Sequence, residues 1–377
     1  MTTRITNGRV LLNGSFDCTD LYFEDNGKIT AIGGTHPFDR EIDAHGNYVT
    51  AGFIDLHCHG GGGADFNSGD PEAVRTAVLT HLSHGTTTIY PTVTSATFAG
   101  TARAIEAIES VRGTLPEIAG IHLEGPYFSP AQTGAQNGDA LRAPDPSEYA
   151  HILKNYKIAR WDYAPEVDKD FAFLEDLLAC CVLPAAAHTD ATCKEMEAAC
   201  KKGCRLVTHL YSCTSTIRRE KGFRIAGVLE ATYLCDEICA ELIADGCHLP
   251  HELLRLAYKL KGPDRLAIVT DAMCAAGAAT EGEFEIGGVP CIVEDGVAKL
   301  LDRSAFAGSI ATADRLVRTC FAAGIPLPDA VKMITETPAS IMGLANKGAL
   351  RVGYDADIVI FDESINLQAV ILAGNPV

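Results

Sequence analysis

The chain lacks an excess of basic residues: 31 Lys plus Arg stand against 49 Asp plus Glu in 377 residues, a formal net charge of −18. Such a surface repels phosphate backbones and acidic membranes at long range, so neither nucleic acid nor a membrane is an expected partner. A small phosphorylated substrate stays open, because one arginine or a helix N-terminus suffices locally. No apolar run approaches the ~18 residues needed to span a bilayer, and the opening MTTRITNGRV has no apolar signal core. Without a secretory context the 14 cysteines read as reduced thiols. Several lie in apolar runs such as LLACCVLPAAA around Cys180 and Cys181, where cysteine behaves as a small hydrophobe. The expected location is cytoplasmic. A G-x-G-x-x-G phosphate loop is also missing: GGGG at 60–63 follows a strand but opens no helix, which argues against a doubly wound dinucleotide fold.

What is present is a globular composition, 47% hydrophobic and 21% charged. Residues 1–50 alternate short half-apolar runs with Asn-Gly turns at 7/8, 13/14 and 26/27, and residues 346–377 show the same texture in DIVIF and AVILA. The two ends are expected to meet in one small β-sandwich. Between them, over 51–345, eight apolar strands recur at βα spacing: GFIDLHC, TTTIYPTV, EIAGIHLE, KIARWDYA, CVLPAAAH, RLVTHL, EICAELIAD and RLAIVTDA. Most are trailed by an amphipathic segment, and the first helix is signalled over 70–83 by Gly-Asp-Pro. The expected fold class is α/β, a (β/α)8 TIM-like barrel whose chemistry sits at the C-terminal ends of the strands.

Those ends carry metal-binding side chains. His57 and His59 close the first strand as His-X-His, on one face by the period of two. Glu124 closes the third, with His122 two residues earlier, expected to pack or to support a ligand rather than be one. His188 closes the fifth, His209 the sixth and Asp271 the eighth. A barrel brings all of its strand ends to one rim, and imidazole with carboxylate suits Zn²⁺ or Fe²⁺. Four histidines and two carboxylates exceed one tetrahedral site, so two cations, or one with alternative ligands, are expected. His248, after the seventh strand, faces the same rim and is expected to meet substrate. His36, His45, His81, His84, His151 and His251 fall on turns or helices and receive no role.

The segments GFIDLHCHG, HLEGPYFSPAQTGAQ, LVTHLY, IADGCHLP, IVTDAM, AGS at 307–309 and GALRVGYDADIVIF resemble the amidohydrolase superfamily, and within it the N-acetylglucosamine-6-phosphate deacetylases, over essentially the whole chain. The resemblance implies metal-dependent removal of acetate from N-acetylglucosamine 6-phosphate. It implies Glu124, His188 and His209 as ligands of the main cation, with His57 and His59 adding a second. Zinc is the favoured cation, and iron, manganese and cobalt are alternatives. Asp271 is implied as the group that takes a proton from water and returns it to the amine. Gln136, Ser212, Cys213, Arg219 and Ala307 are implied as substrate contacts, and a homodimer is implied in which an arginine reaches the neighbouring site.

The sequence departs from the family twice. Gln136 stands where the commoner motif has histidine, and THLYSCT, with Ser212 and Cys213, replaces THLYNAM. Matching the phosphate-binding arginine to Arg219 needs a one-residue gap, which leaves Arg218 and Arg224 as rivals. The alternative substrate is another N-acetyl amino sugar, such as N-acetylgalactosamine 6-phosphate or an unphosphorylated N-acetylhexosamine. A cyclic-amide hydrolase would be expected to carry a bridging lysine after the fourth strand, where only the displaced Lys169 is found. A sugar-phosphate sensor would be expected to lack a ligand or Asp271.

Overall fold

The computed structural model describes residues 1–278 and 281–377. Its central sheet has eight strands, each parallel to the next: β1 (Phe53–Cys58), β2 (Thr86–Thr94), β3 (Ile121–Glu124), β4 (Ile158–Tyr163), β5 (Leu183–Ala186), β6 (Leu206–Val207), β7 (Cys239–Ile243) and β8 (Leu266–Val269). Spatial order equals sequence order. β1, β2, β3 and β8 are buried along their whole length, as strands covered on both faces must be. Closure between β8 and β1 occurs at the rim, where the Asp271 N–H donates to the His57 carbonyl (2.9 Å) and the His59 N–H to the Ala272 carbonyl (2.8 Å). The bond that closes the barrel therefore also sets Asp271 beside His57 and His59.

Helices wrap this sheet, and their starts follow local chemistry. Pro71–Ser83 begins on proline with the Asp70 carboxylate accepting from the Glu72 N–H, and Pro146–Asn155 repeats the device with Asp145 and Ser147. Cys193–Lys202 opens on a capping box between Thr192 and Glu195. Along this helix and just beyond it, Cys200 and Cys204 belong to the main core and Cys193 packs against it. No helix among the described residues is long and apolar enough to cross a membrane.

Both chain ends enter one six-stranded sheet. Tyr48–Ala51 pairs with Arg9–Leu12 on one side and with Ile358–Phe361 on the other. A four-stranded sheet from residues 2–43 faces it across a separate apolar core that includes Ile5, Phe23, Val49, Ile358 and Ile371. Asn7 and Asn13 take positive φ, as the Asn-Gly turns require.

One element has no counterpart among the sequence expectations: a three-stranded antiparallel sheet after β8, Gly282–Ile286, Val289–Glu294 and Val297–Leu300. Its two connections, Gly287-Gly288 and Asp295-Gly296, have positive φ at both residues, the signature of the tight hairpin turn.

Candidate metal centre and cleft

The rim gathers the ligand-type residues around one carboxylate. Glu124 Oε1 lies 3.1 Å from His188 Nε2 and 3.1 Å from His209 Nε2. His57 Nε2 is 3.6 Å from the same oxygen, and His59 Nε2 is 3.4 Å from Glu124 Oε2. Asp271 Oδ1 stands 3.1 Å from His59 Nε2 and 3.4 Å from His57 Nε2. Two groups of possible ligands thus share Glu124: one with His188 and His209, the other with His57 and His59.

The hydrogen-bond donors show what such a place accepts. His188 Nδ1 faces the Gln132 carbonyl (2.8 Å) and His209 Nδ1 the Ser212 carbonyl (3.0 Å). A carbonyl can only accept, so each Nδ1 carries the proton, and whenever the ring is neutral its Nε2 lone pair is turned toward a carboxylate that is also acceptor-only. Three acceptors converging in a buried place are satisfied by a cation, and nitrogen with oxygen ligands suits a divalent transition metal. Protonation is the other way to satisfy them. Burial opposes it at His188, but the facing Cys213 and Glu124 overcome burial and hold the imidazole well above the usual histidine range. Burial likewise opposes ionisation of Glu124, and the surrounding imidazoles, His57 first, hold its carboxyl well below the usual range.

Backbone strain is also found at this rim. His188 (φ 44°), His209 (φ 30°), Cys213 (φ 49°) and Asp271 (φ 46°) all occupy the left-handed region, which costs non-glycine residues about 1–3 kcal/mol each. Such conformations persist where the surrounding fold over-determines them, as it does where one cleft must be lined from several strand ends.

A third cluster, Asp55, Cys58 and His81, is also compact and buried. Most of its hydrogen bonds are already made, His81 Nδ1 being the atom without a partner among the described residues. His81 Nε2 faces the Gly60 carbonyl at 2.9 Å and Cys58 Sγ at 3.1 Å, so that nitrogen bears a proton. Asp55 accepts from the Thr270 hydroxyl (2.5 Å) and from the Thr270 and His57 N–H groups. Burial keeps His81 neutral, with its pKa pushed down to about 4. This cluster ties β1 to the helix behind it.

The cleft above Glu124 has a volume of about 200 Å³. Its walls include Gln136, Ser212, Cys213 and His248, each singled out in the sequence. Asp245 accepts from His248 Nδ1 at 2.8 Å, leaving Nε2 as the free ring nitrogen of that side chain. Ala307 departs from expectation. It is fully buried among Met273, Cys291 and Ile286, and its N–H is bonded to the Ala298 carbonyl, so its neighbours Phe306 and Gly308 form the wall instead. Arg219 lies on the exposed hairpin Arg218–Glu220/Phe223–Ile225 and does not reach the cleft of its own chain. Arg218 is engaged by Glu220 (2.8 Å) and Asp190 (3.4 Å), and the Arg224 guanidinium hydrogen-bonds, among the described residues, the Gly222 carbonyl alone (3.4 Å). No Arg or Lys lines the cleft among the described residues.

His122 is not part of the ligand set: its Nε2 is 2.9 Å from Asp162 and its Nδ1 3.0 Å from Thr92 Oγ1. Below it the barrel interior is charged. Arg160, wholly buried, binds Asp162 with two nitrogens and also Glu241 and Thr208, and Glu241 reaches within 3.5 Å of His57 Nδ1. The sequence offered one signal for this layer, Arg160 and Asp162 two apart in an apolar strand. The cleft-lining residues Ile286 and Phe306 were foreshadowed only by the Gly-Gly and Asp-Gly turns near them.

Comparison with known proteins places this arrangement among relatives. The Amidohydrolase family model matches residues 48–377. The N-acetylglucosamine-6-phosphate deacetylase of Lysinibacillus sphaericus is 33% identical over 371 residues, covering 96% of this chain and 94% of that protein. The enzyme of the same name from Bacillus subtilis is 30% identical, covering 98% and 94%. Among solved structures, the N-acetylglucosamine-6-phosphate deacetylase of Pasteurella multocida superposes over the full length of both chains with a TM-score of 0.93 at 28% identity.

Proposed function

The chain belongs to the amidohydrolase family, and within it to the N-acetylglucosamine-6-phosphate deacetylases; from that premise we propose how its cleft removes acetate from N-acetylglucosamine 6-phosphate to give glucosamine 6-phosphate. The observation that carries the reading is the meeting of Glu124 Oε1 with His188 Nε2 and His209 Nε2, each at 3.1 Å. These three residues would hold the main cation, and His57 and His59 with Glu124 a second. Zinc is placed first because few, nitrogen-rich ligands suit it, and iron, manganese and cobalt suit the same set. When bound, a divalent cation here would make hydroxide available near neutral pH and polarise the acetyl carbonyl.

The remaining steps belong to the protein. Asp271 accepts the proton of the attacking water at a carboxylate oxygen. When the carbon–nitrogen bond of the amide breaks, it returns that proton to the nitrogen, which cannot leave as an anion. Burial opposes its ionisation, but His57 and His59 outweigh burial and hold its carboxyl below the usual range, so it starts as the base. His248, fixed by Asp245, offers its free ring nitrogen to the sugar or the acetyl oxygen. Ser212 and Cys213 line the side where the sugar would lie.

The phosphate needs a cation that the chain's own cleft wall does not supply. The exposed hairpin carries Arg219 and leaves Phe223 74% and Ile217 59% exposed. We assign it to a second copy, with Arg219 entering the neighbour's cleft. A charge-assisted arginine–phosphate bond contributes about 1.5–3 kcal/mol, one to two decades in affinity. The same bare wall favours a second reading, an N-acetyl amino sugar that lacks the 6-phosphate. The test is acetate release from N-acetylglucosamine 6-phosphate, its galacto epimer and the unphosphorylated sugars, each with and without chelator. Chelator-sensitive turnover with the highest kcat/KM on N-acetylglucosamine 6-phosphate supports the first reading. Equal or better turnover of a rival sugar replaces it, and turnover that ignores chelator ends both.

A further inference from the structure

Gln136 is buried, 8% exposed, in the long loop after β3. Both ends of its amide are in use. The Ser95 backbone N–H, which can only donate, lies 3.0 Å from Oε1, and the Thr94 hydroxyl lies 2.8 Å from the same atom. Those two donors fix which end of the amide is oxygen. The other end, Nε2, therefore faces Glu124 and donates to Oε2 at 2.7 Å. The loop reaches this position through Gly134, at φ +57°, where a Cβ would lie 2.5 Å from Cys213 Sγ and 3.3 Å from the His188 ring. Only glycine passes there, and it brings Gln136 inward.

Glu124 consequently has two unlike oxygens. Oε2 is held by a neutral amide that is itself anchored to β2 and the residue following it. Oε1 is left facing His188 Nε2 and His209 Nε2. A glutamate side chain has several rotamers of similar energy, and a cation must otherwise select one of them on binding. Resting on the reading that Glu124, His188 and His209 hold the main cation, we infer that Gln136 is a positioning residue for Glu124, presetting the carboxylate so that Oε1 points at the cation, rather than a contact of the sugar. Its oxygen already accepts from two donors and one of its two N–H groups is committed to Glu124, so a single N–H is all that the amide has left over. A neutral amide also achieves this without adding charge to a cleft that already holds two carboxylates. Histidine at this position has one donor and one acceptor, so it could keep the bond to Glu124 while satisfying only one of the Thr94 and Ser95 donors.

The inference is tested on the holoenzyme, stripped of metal and retitrated with Zn²⁺ against a chromophoric chelator, alongside steady-state kinetics at saturating zinc. Gln136→Leu is expected to weaken zinc binding by 10–100-fold, the usual cost of losing an outer partner of a metal ligand. It is also expected to lower kcat while changing KM less than about threefold, because the loss acts on the ligand rather than on the sugar. Gln136→His should recover most of the lost affinity. Zinc binding like wild type in Gln136→Leu, with a raised KM alone, would overturn the inference and return Gln136 to the substrate. Should Gln136→Leu fail to fold, Thr94→Val removes one anchor of the amide from outside the ligand set. It is expected to weaken zinc binding in the same direction, and an unchanged affinity there overturns the inference too. A wild-type protein that takes up no zinc ends the cation reading on which this rests, an outcome distinct from a normal wild type beside a normal variant.

Discussion

His188 and His209 on one side of Glu124, and His57 and His59 on the other, present the same ring nitrogens but are held by different means. On the first side each Nδ1 donates to a backbone carbonyl, at 2.8 and 3.0 Å, and each Nε2 stands 3.1 Å from Oε1. On the second, His59 Nδ1 has no protein partner among the described residues, and His57 Nδ1 lies 3.5 Å from Glu241, beyond a good hydrogen bond. Glu124 Oε2, the oxygen that faces His59, already accepts from Gln136. Fixing the outer nitrogen of a ligating histidine sets both ring orientation and tautomer. The comparison teaches that ligand identity alone does not make two sites equal, and that the His188/His209 side should bind first and tighter.

Removing what the halves share has the largest effect. Glu124→Ala should abolish tight zinc binding on both sides and lower kcat/KM by about 10³-fold or more, read by zinc titration and acetate release. Next comes Asp271→Asn, which should lower kcat by about 10²–10⁴-fold, the range for a lost general acid–base, while the His188/His209 side still binds zinc. Full activity in that variant would remove Asp271 from proton transfer. His59→Ala should sharpen the contrast, eliminating the weaker binding step in a titration while leaving the tighter one in place, with turnover falling about tenfold. Smallest is Glu241→Gln, which keeps a hydrogen-bonding partner for Arg160 but weakens the acceptor facing His57. A drop of about tenfold in the weaker affinity alone is expected, and an effect on the tighter step would break the comparison.

The sequence made the outer architecture legible. Apolar runs at βα spacing gave all eight barrel strands, and Asn-Gly turns at one end with DIVIF and AVILA at the other gave a shared terminal sheet. Strand ends placed Glu124, His188, His209, His57, His59 and Asp271 on one rim, because a parallel barrel leaves its C-terminal ends nowhere else to go. What stayed hidden depends on contacts between distant segments. Nothing near Gln136 announces that its amide will lie between Ser95 and Glu124, and nothing near Ala307 says that its methyl group turns into the small core under the three-stranded sheet. Arg160 meets Glu241 across 81 positions, a pairing that exists only once the barrel closes. The three-stranded sheet itself was readable from Gly287-Gly288 and Asp295-Gly296, two hairpin turns between alternating runs.

The central claim is that the barrel rim gathers Glu124, His188 and His209 around a divalent cation that deacetylation requires. It is tested most directly by dialysing the protein against chelator, titrating zinc back, and following bound metal and acetate release from N-acetylglucosamine 6-phosphate together. Activity that is absent at first and returns in step with the tighter zinc equivalent per chain is the predicted result. Full turnover by the metal-free protein, or zinc uptake that leaves turnover unchanged, would contradict it.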